Sequence, residues 1–290
     1  MTEISLHLGA HKTATTWLQT RLEAALPALR AIGVDYEPLD PFRRAFADKL
    51  DVVMHQGETP ERMEELRAAI AGYLSRGAER FIASDENIIG QCNPIVNSGR
   101  LYGGMKGRLE KLAALLPEPP SSVVFTLRSY APFFSSVYVE SLWHGIFNPF
   151  DEFRARLVTD DGLWLRVVHN LVAAFGAERV RILRFEALQA SLPAALEALC
   201  GQKVDPALLP ESHDRRERLS ARAVEELGRL AAKTDRRSAR RRLGEFAESF
   251  PRSPDFPAFD PWSAEERARL DALYAGHLAR IAGRWPGVLI

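Results

Sequence analysis

Residues 3–19 read EISLHLGAHKTATTWLQ, and the change of texture within this stretch sets the fold. Ile4, Leu6 and Leu8 alternate with Glu3, Ser5 and His7, which is the period of a strand. Gly9 ends the alternation. A polar loop follows, and then TWLQTRLEAALPALRAI places its apolar residues at helical spacing. Strand, short loop and helix form the opening unit of a parallel α/β sheet. At such a junction backbone N–H groups converge in front of the helix, whose end carries roughly half a positive charge. Lys12 adds a full charge, and Thr13, Thr15 and Thr16 add hydroxyls. The loop reads as an oxyanion cradle.

The rest of the chain extends the alternation of strands and helices. GVDYEP (33–38) reads as a short strand, PERMEELRAAIAGYLSR (60–76) as a helix with Pro60 in its first turn, and RFIAS (80–84) as a strand. Residues 91–107, rich in Asn, Gly and Ser, read as a long loop, followed by the helix GRLEKLAALL. SVVFTLRS (122–129) is almost continuously apolar, as in a central strand buried on both faces. APFFSSVYVESLWHG and LWLRVVHNLVAAFG (163–176) are helical, RVRILRFEAL (179–188) is a strand, and LPAALEALCG is a helix. From about 205 the texture becomes helical and charged, with RERLSARAVEELGRLAAK, a basic run at 236–242 and a proline-punctuated connector, SPDFPAFDPWS. The last helix opens with Ser263 and Glu266, a capping box. The expected architecture is a central parallel sheet flanked by helices in three layers. It is one domain over 1–290, with an α/β core at 1–204 and a helical portion at 205–290 packed on it.

Composition narrows the function. The 38 basic and 38 acidic residues cancel, so no global field points to nucleic acid or an anionic membrane. Any anion site must be built locally. Cys92 and Cys200 are far apart and form no CxxC, which suggests buried thiols in a reducing compartment. No apolar run reaches the roughly 18 residues needed to span a bilayer, and the N-terminus lacks the pattern of a secretory signal. The expectation is a soluble, cytoplasmic protein.

The loop does not follow G-x-x-x-x-G-K-[ST], because Lys12 precedes the threonines and lies three residues after Gly9. It resembles the 5′-phosphosulfate loop of sulfotransferases that use 3′-phosphoadenosine 5′-phosphosulfate, in the form H-K-T-[GA]-T-T. A second stretch supports the resemblance. VVFTL ends at Arg128, and Ser136 follows eight residues on, as do the arginine and serine that hold the 3′-phosphate in that family. Arginine offers a planar fork of donors to a phosphate, and the serine adds a short hydrogen bond. RILRFEAL resembles the family's late strand. The resemblance implies a P-loop-like fold and a phosphosulfate site of His11, Lys12, Thr13, Ala14, Thr15 and Thr16. It also implies a 3′-phosphate site of Arg128 and Ser136, with Trp17 and Phe185 near the adenine. The family most often has glycine at the position of Ala14. Because helical patterning begins at 15, Ala14 is expected inside the first turn, where alanine is unstrained. The R-K-G loop of animal cytosolic members is absent, and Arg215 and Arg216 are candidates to replace it.

Sulfuryl transfer, like phosphoryl transfer, depends chiefly on positioning and charge stabilisation. Lys12 is the candidate for neutralising the transferring group. Glu86, after the strand 80–84, is the first candidate for the base, with Asp85 beside it. His144, between Trp143 and Phe147, is the second. No cluster of residues has metal-ligand spacing, so no metal is expected. The acceptor is a hydroxyl or amine on a small molecule or glycan. Arg100, Lys106 and Arg108 could meet an anionic sugar, and the aromatic stretch 143–150 could meet an apolar group. A phosphate-loop kinase or triphosphatase would need an aspartate where Arg128 stands. A non-catalytic nucleotide-binding protein would have no need of Lys12 together with Arg128 and Ser136.

Overall fold

A computed structural model describes residues 2–159, 162–210 and 219–290. The chain runs through β1 (Glu3–His7), α1 (Thr15–Ala24), α2 (Leu26–Ala31), β2 (Val34–Tyr36), α3 (Leu39–Phe42) and α4 (Asp48–Gln56). A π-helical turn, Arg43–Ala47, joins α3 to α4. Then come α5 (Pro60–Leu74), β3 (Arg80–Ser84), α6 (Asn93–Ser98), α7 (Met105–Leu115), β4 (Ser122–Leu127), α8 (Tyr130–Trp143) and α9 (Phe150–Arg156). The remainder is α10 (Leu163–Phe175), β5 (Val180–Arg184), α11 (Leu188–Cys200), α12 (Ala221–Ala231), α13 (Arg236–Arg241), α14 (Leu243–Ser249) and α15 (Ala264–Arg284).

The five strands are all parallel, in the order β2-β3-β1-β4-β5. Alternation sends Ile4 and Leu6 of β1, Phe81 and Ala83 of β3, and Val123 and Phe125 of β4 to one face. There they meet α4, α5, α7, α8, α10 and α15. Ile82, Val124 and Leu183 point the other way, onto α1, α2 and α11. Every residue of β4 is buried, as a strand covered on both faces requires. This is the expected three-layer α/β arrangement. The C-terminal residues close on the same core. Ser263 caps α15 through the full capping box, and Ile182 donates to the Val288 carbonyl at 2.7 Å, so the chain end covers the open edge of β5. Among the described residues no helix is long and apolar enough to cross a membrane. Cys92 and Cys200 are both buried and free.

Two expectations need correction, and one segment was not anticipated. Residues 91–107 are not one long loop, because α6 and the start of α7 occupy them. Ile95 and Val96 are fully buried, and that burial overrides the weak helix propensity of the Asn, Gly and Ser around them. Residues 39–56 carry α3, the π-helical turn and α4, a segment with no expected element. Ala14 is not inside the first helical turn. It sits just before α1 in the left-handed region, at φ 64° and ψ 28°.

Candidate functional site

The site lies where the strands end. In an open parallel sheet the carboxyl ends of the strands face the ligand crevice, and it opens where strand order reverses. β1, β3, β4 and β5 deliver the Lys12 loop, Glu86, Arg128 and Phe185 to this edge. They line a cavity of about 1290 Å³ together with His11, Ala14, Thr15, Thr16, Trp17, Ser136 and Glu140. Ala247, Arg252 and Ala258, from the C-terminal third, form its far wall.

The loop is held by its own backbone and by two neighbours. Leu8 and Ala10 continue to pair with β4 through the carbonyls of Val124 and Thr126. Lys12 (φ 65°) and Ala14 (φ 64°) then turn the chain through the left-handed region, which costs an L-residue roughly 1–2 kcal/mol each. The Thr13 hydroxyl donates to the Ala10 carbonyl at 2.5 Å, and the Thr15 hydroxyl donates to the same carbonyl at 3.4 Å. These hydroxyls therefore shape the turn. Thr13 is buried and does not line the cavity, whereas Thr15 and Thr16 do. Among the described residues no side chain caps α1, whose first turn, Thr15–Trp17, lines the cavity and leaves its N–H groups for a ligand there.

His11 is a strut of the loop. Its backbone N–H donates to the Tyr102 hydroxyl at 2.9 Å, which lies 3.1 Å from Nδ1, while Nε2 is 3.0 Å from Asn87 Oδ1. The arrangement suits a neutral ring that donates from Nε2 and accepts at Nδ1. Burial holds the ring below the usual histidine range, against the pull of Glu86 and Asn87. Behind it, burial lowers His7 to about 4, again opposed by Glu86.

Glu86 reaches the cavity from one side of β1. Gln19 Nε2 and Arg43 Nη2 lie 3.4 and 3.5 Å from its carboxylate. Burial works against its charge, but His11 in its protonated form, the backbone, Arg43 and Gln19 overcome this and hold it below the usual carboxylate range. Asp85 plays a different part. It accepts the Asn87 N–H and a two-pronged bond from Arg43 at 2.6 and 3.0 Å, with its own side chain fully buried. The structure thus assigns Asp85 to the scaffold. Arg43, Gln19 and Tyr102 were not foreseen. Arg43 could have been found, since Phe42, Phe46, Leu50 and Val53 repeat at helical spacing around it.

On the other side of β1, Arg128 Nη1 donates to the Lys12 carbonyl at 3.0 Å and lies 3.4 Å from Ser136 Oγ. Its guanidinium stands 4.5 Å from the Phe185 ring centre, and Arg21 stacks similarly on Trp17 at 4.6 Å. Lys12 Nζ bonds Glu140 Oε2 at 2.7 Å, a partner the sequence did not suggest. His144 stands outside the large cavity, about half exposed, with Nε2 3.7 Å from Glu140 Oε1. A smaller adjoining cavity of about 180 Å³ shares Lys12, Arg128, Ser136, Glu140 and Arg252 and adds Val139 and Trp143. Phe147 is half-buried against the core instead.

The basic residues considered for an acceptor are elsewhere. Arg108 is buried and bonds the carbonyls of Asn87 and Ile88 and the Asp51 carboxylate. Lys106 is exposed near Glu110, and Arg100 is exposed before α7. Arg215 and Arg216 lie outside the described residues.

No protein-family model matches the chain, and no curated protein matches it. Among solved structures, a sulfotransferase from Alicyclobacillus acidocaldarius aligns over 82% of this chain and 95% of that chain, with 12% identity and a TM-score of 0.41. A likeness at that level carries no weight on function, and the functional reading stands on the geometry of the cleft.

Proposed function

We propose that the protein is a sulfotransferase that moves a sulfuryl group from 3′-phosphoadenosine 5′-phosphosulfate to a hydroxyl or amine. One observation carries the reading. The Lys12 loop and the Arg128–Ser136 pair, 116 residues apart, touch each other and line a single cleft. A ligand with an anionic group at each end fits that donor set. The first turn of α1 and Lys12 face one end, and the Arg128 fork and Ser136 face the other. Trp17 and Phe185 offer ring faces for a base between them.

The bound donor would supply the sulfuryl group and an adenosine bisphosphate leaving group. Lys12 and the α1 N-terminus would offset charge at the 5′ end. Glu86, ionised and lining the cleft, is the proposed acceptor of the nucleophile's proton. His144 is placed less well for that role, since it stands outside the cleft. The acceptor would enter beside Trp143, through the smaller cavity.

Calorimetric titration with adenosine 3′,5′-bisphosphate tests the reading, with adenosine 5′-monophosphate and magnesium–ATP as controls. The expected result is micromolar binding that requires the 3′-phosphate and weakens by about 100-fold in Arg128→Ala, the scale of a charge-assisted phosphate contact. Preference for magnesium–ATP would overturn it.

A further inference from the structure

Ser136, Glu140 and His144 follow one another at four-residue intervals along α8 and its C-terminal end. They therefore share one stripe of a helix whose other faces are buried and apolar. The stripe borders the cleft at Ser136 and Glu140. Ser136 is the neighbour of Arg128, and Glu140 is the neighbour of Lys12. The Lys12 and Glu140 side chains are 21% and 18% exposed, so water still reaches the pair. The ammonium that the loop offers to an incoming anion is thus already engaged by a carboxylate from the facing helix.

The geometry points to Glu140 as a competitor for Lys12, which gives the lysine up when the donor's 5′ end arrives and takes it back when the bisphosphate leaves. This inference rests on the sulfotransferase reading. A lysine ammonium is a compact charge on a flexible stem, and it can move between partners without rebuilding the loop. A partly exposed ion pair contributes little to stability, so the exchange is easily reversed. Once Lys12 turns to the ligand, the Glu140 charge stands beside a group of the same sign. Both effects lower the affinity for any ligand with an anionic 5′ end. Release of product limits turnover in many enzymes, and a carboxylate that reclaims the lysine favours release. Glu140 is a positioning residue in this scheme, acting through Lys12.

The effect must be selective for the ligand. Lys12 addresses the 5′ end, whereas Arg128 and Ser136 address the 3′-phosphate. The experiment is calorimetric titration of the full chain near neutral pH with adenosine 3′,5′-bisphosphate and with adenosine 3′-monophosphate. The proteins are wild type, Glu140→Gln, Lys12→Ala and the double variant. The expected result is bisphosphate binding about tenfold tighter in Glu140→Gln, an unchanged affinity for the 3′-monophosphate, and a clearly smaller gain in the Lys12→Ala background, where only the like-charge repulsion is relieved. Weaker or unchanged bisphosphate binding in Glu140→Gln would overturn the inference. So would equal tightening for both ligands, or a gain of undiminished size without Lys12. Wild type that binds the bisphosphate while giving one of these results removes the role of Glu140 alone. Wild type that does not bind it removes the functional reading, and the inference with it.

Discussion

Two carboxylates reach the cleft from either side of β1, and they are held in opposite ways. Glu86 follows β3 and is fixed from behind by Gln19 and by Arg43, which also clamps the fully buried Asp85. Glu140 rises from the face of α8 beside His144 and holds the tip of a long lysine that water can still reach. The first belongs to a buried network of several hydrogen-bonded and paired side chains. The second belongs to a pair that can open without disturbing the core. One fold thus places a fixed charge and an exchangeable charge around the same cleft, and burial makes the difference.

The contrast is broken most severely at Arg43. Arg43→Met would leave the Asp85 carboxylate buried without its cation. It should cost about 3–5 kcal/mol in urea denaturation, against less than about 1 kcal/mol for Glu140→Gln. Similar losses for the two variants would erase the distinction.

Acid sharpens the contrast next, because the histidines stand on the Glu86 side. His7 is held at about 4, below its unfolded value of about 6.5. The stability that comes from keeping it neutral is complete above pH 6.5. It is lost as pH falls toward 4, by about 3 kcal/mol, and the loss levels off below that. His11, also lowered by burial, adds to the same trend. Because the Glu86 charge partly supports protonated His7, Glu86→Gln should steepen the acid loss, while Glu140→Gln should leave the His7 contribution in place. Chemical denaturation at a series of pH values between 4 and 7 reads both, and a flat profile in wild type would refute the buried neutral ring.

The smallest effect is expected in the loop between the two carboxylates. Ala14→Gly relieves a left-handed alanine but adds freedom to the unfolded chain. The net expectation is a gain of about 0.5–1 kcal/mol, visible as a rise in Tm of about 2 °C. A fall in Tm would mean that the turn does not strain Ala14.

Much of the scaffold was legible along the chain. RFIAS matches β3 residue for residue, SVVFTLRS covers β4 and runs two residues past its end, and the capping box at Ser263 is present in full. Periods of two and of 3.6 are local, so neighbouring residues suffice to read them. The loop conformation was not legible at Ala14. Whether a residue falls before or inside the first turn depends on how β1 hands the chain to α1, and patterning does not resolve one residue. The same limit hid α6, whose helix is held by the burial of Ile95 and Val96 more than by its own composition.

The sequence by itself determined that loops rich in charge would follow the ends of apolar strands. A parallel sheet gathers those ends at one edge, so Lys12, Glu86, Arg128 and Phe185 were bound to share a neighbourhood. Only the tertiary structure decided which charge meets which. Arg43 meets Asp85 from 42 residues away, His11 leans on Tyr102 from 91 and Lys12 finds Glu140 from 128. Those partners are chosen by the crossings of the chain and by helix faces turned toward the cleft. No local spacing encodes them, because an ion pair depends on distance in space, and the packed layers set that distance.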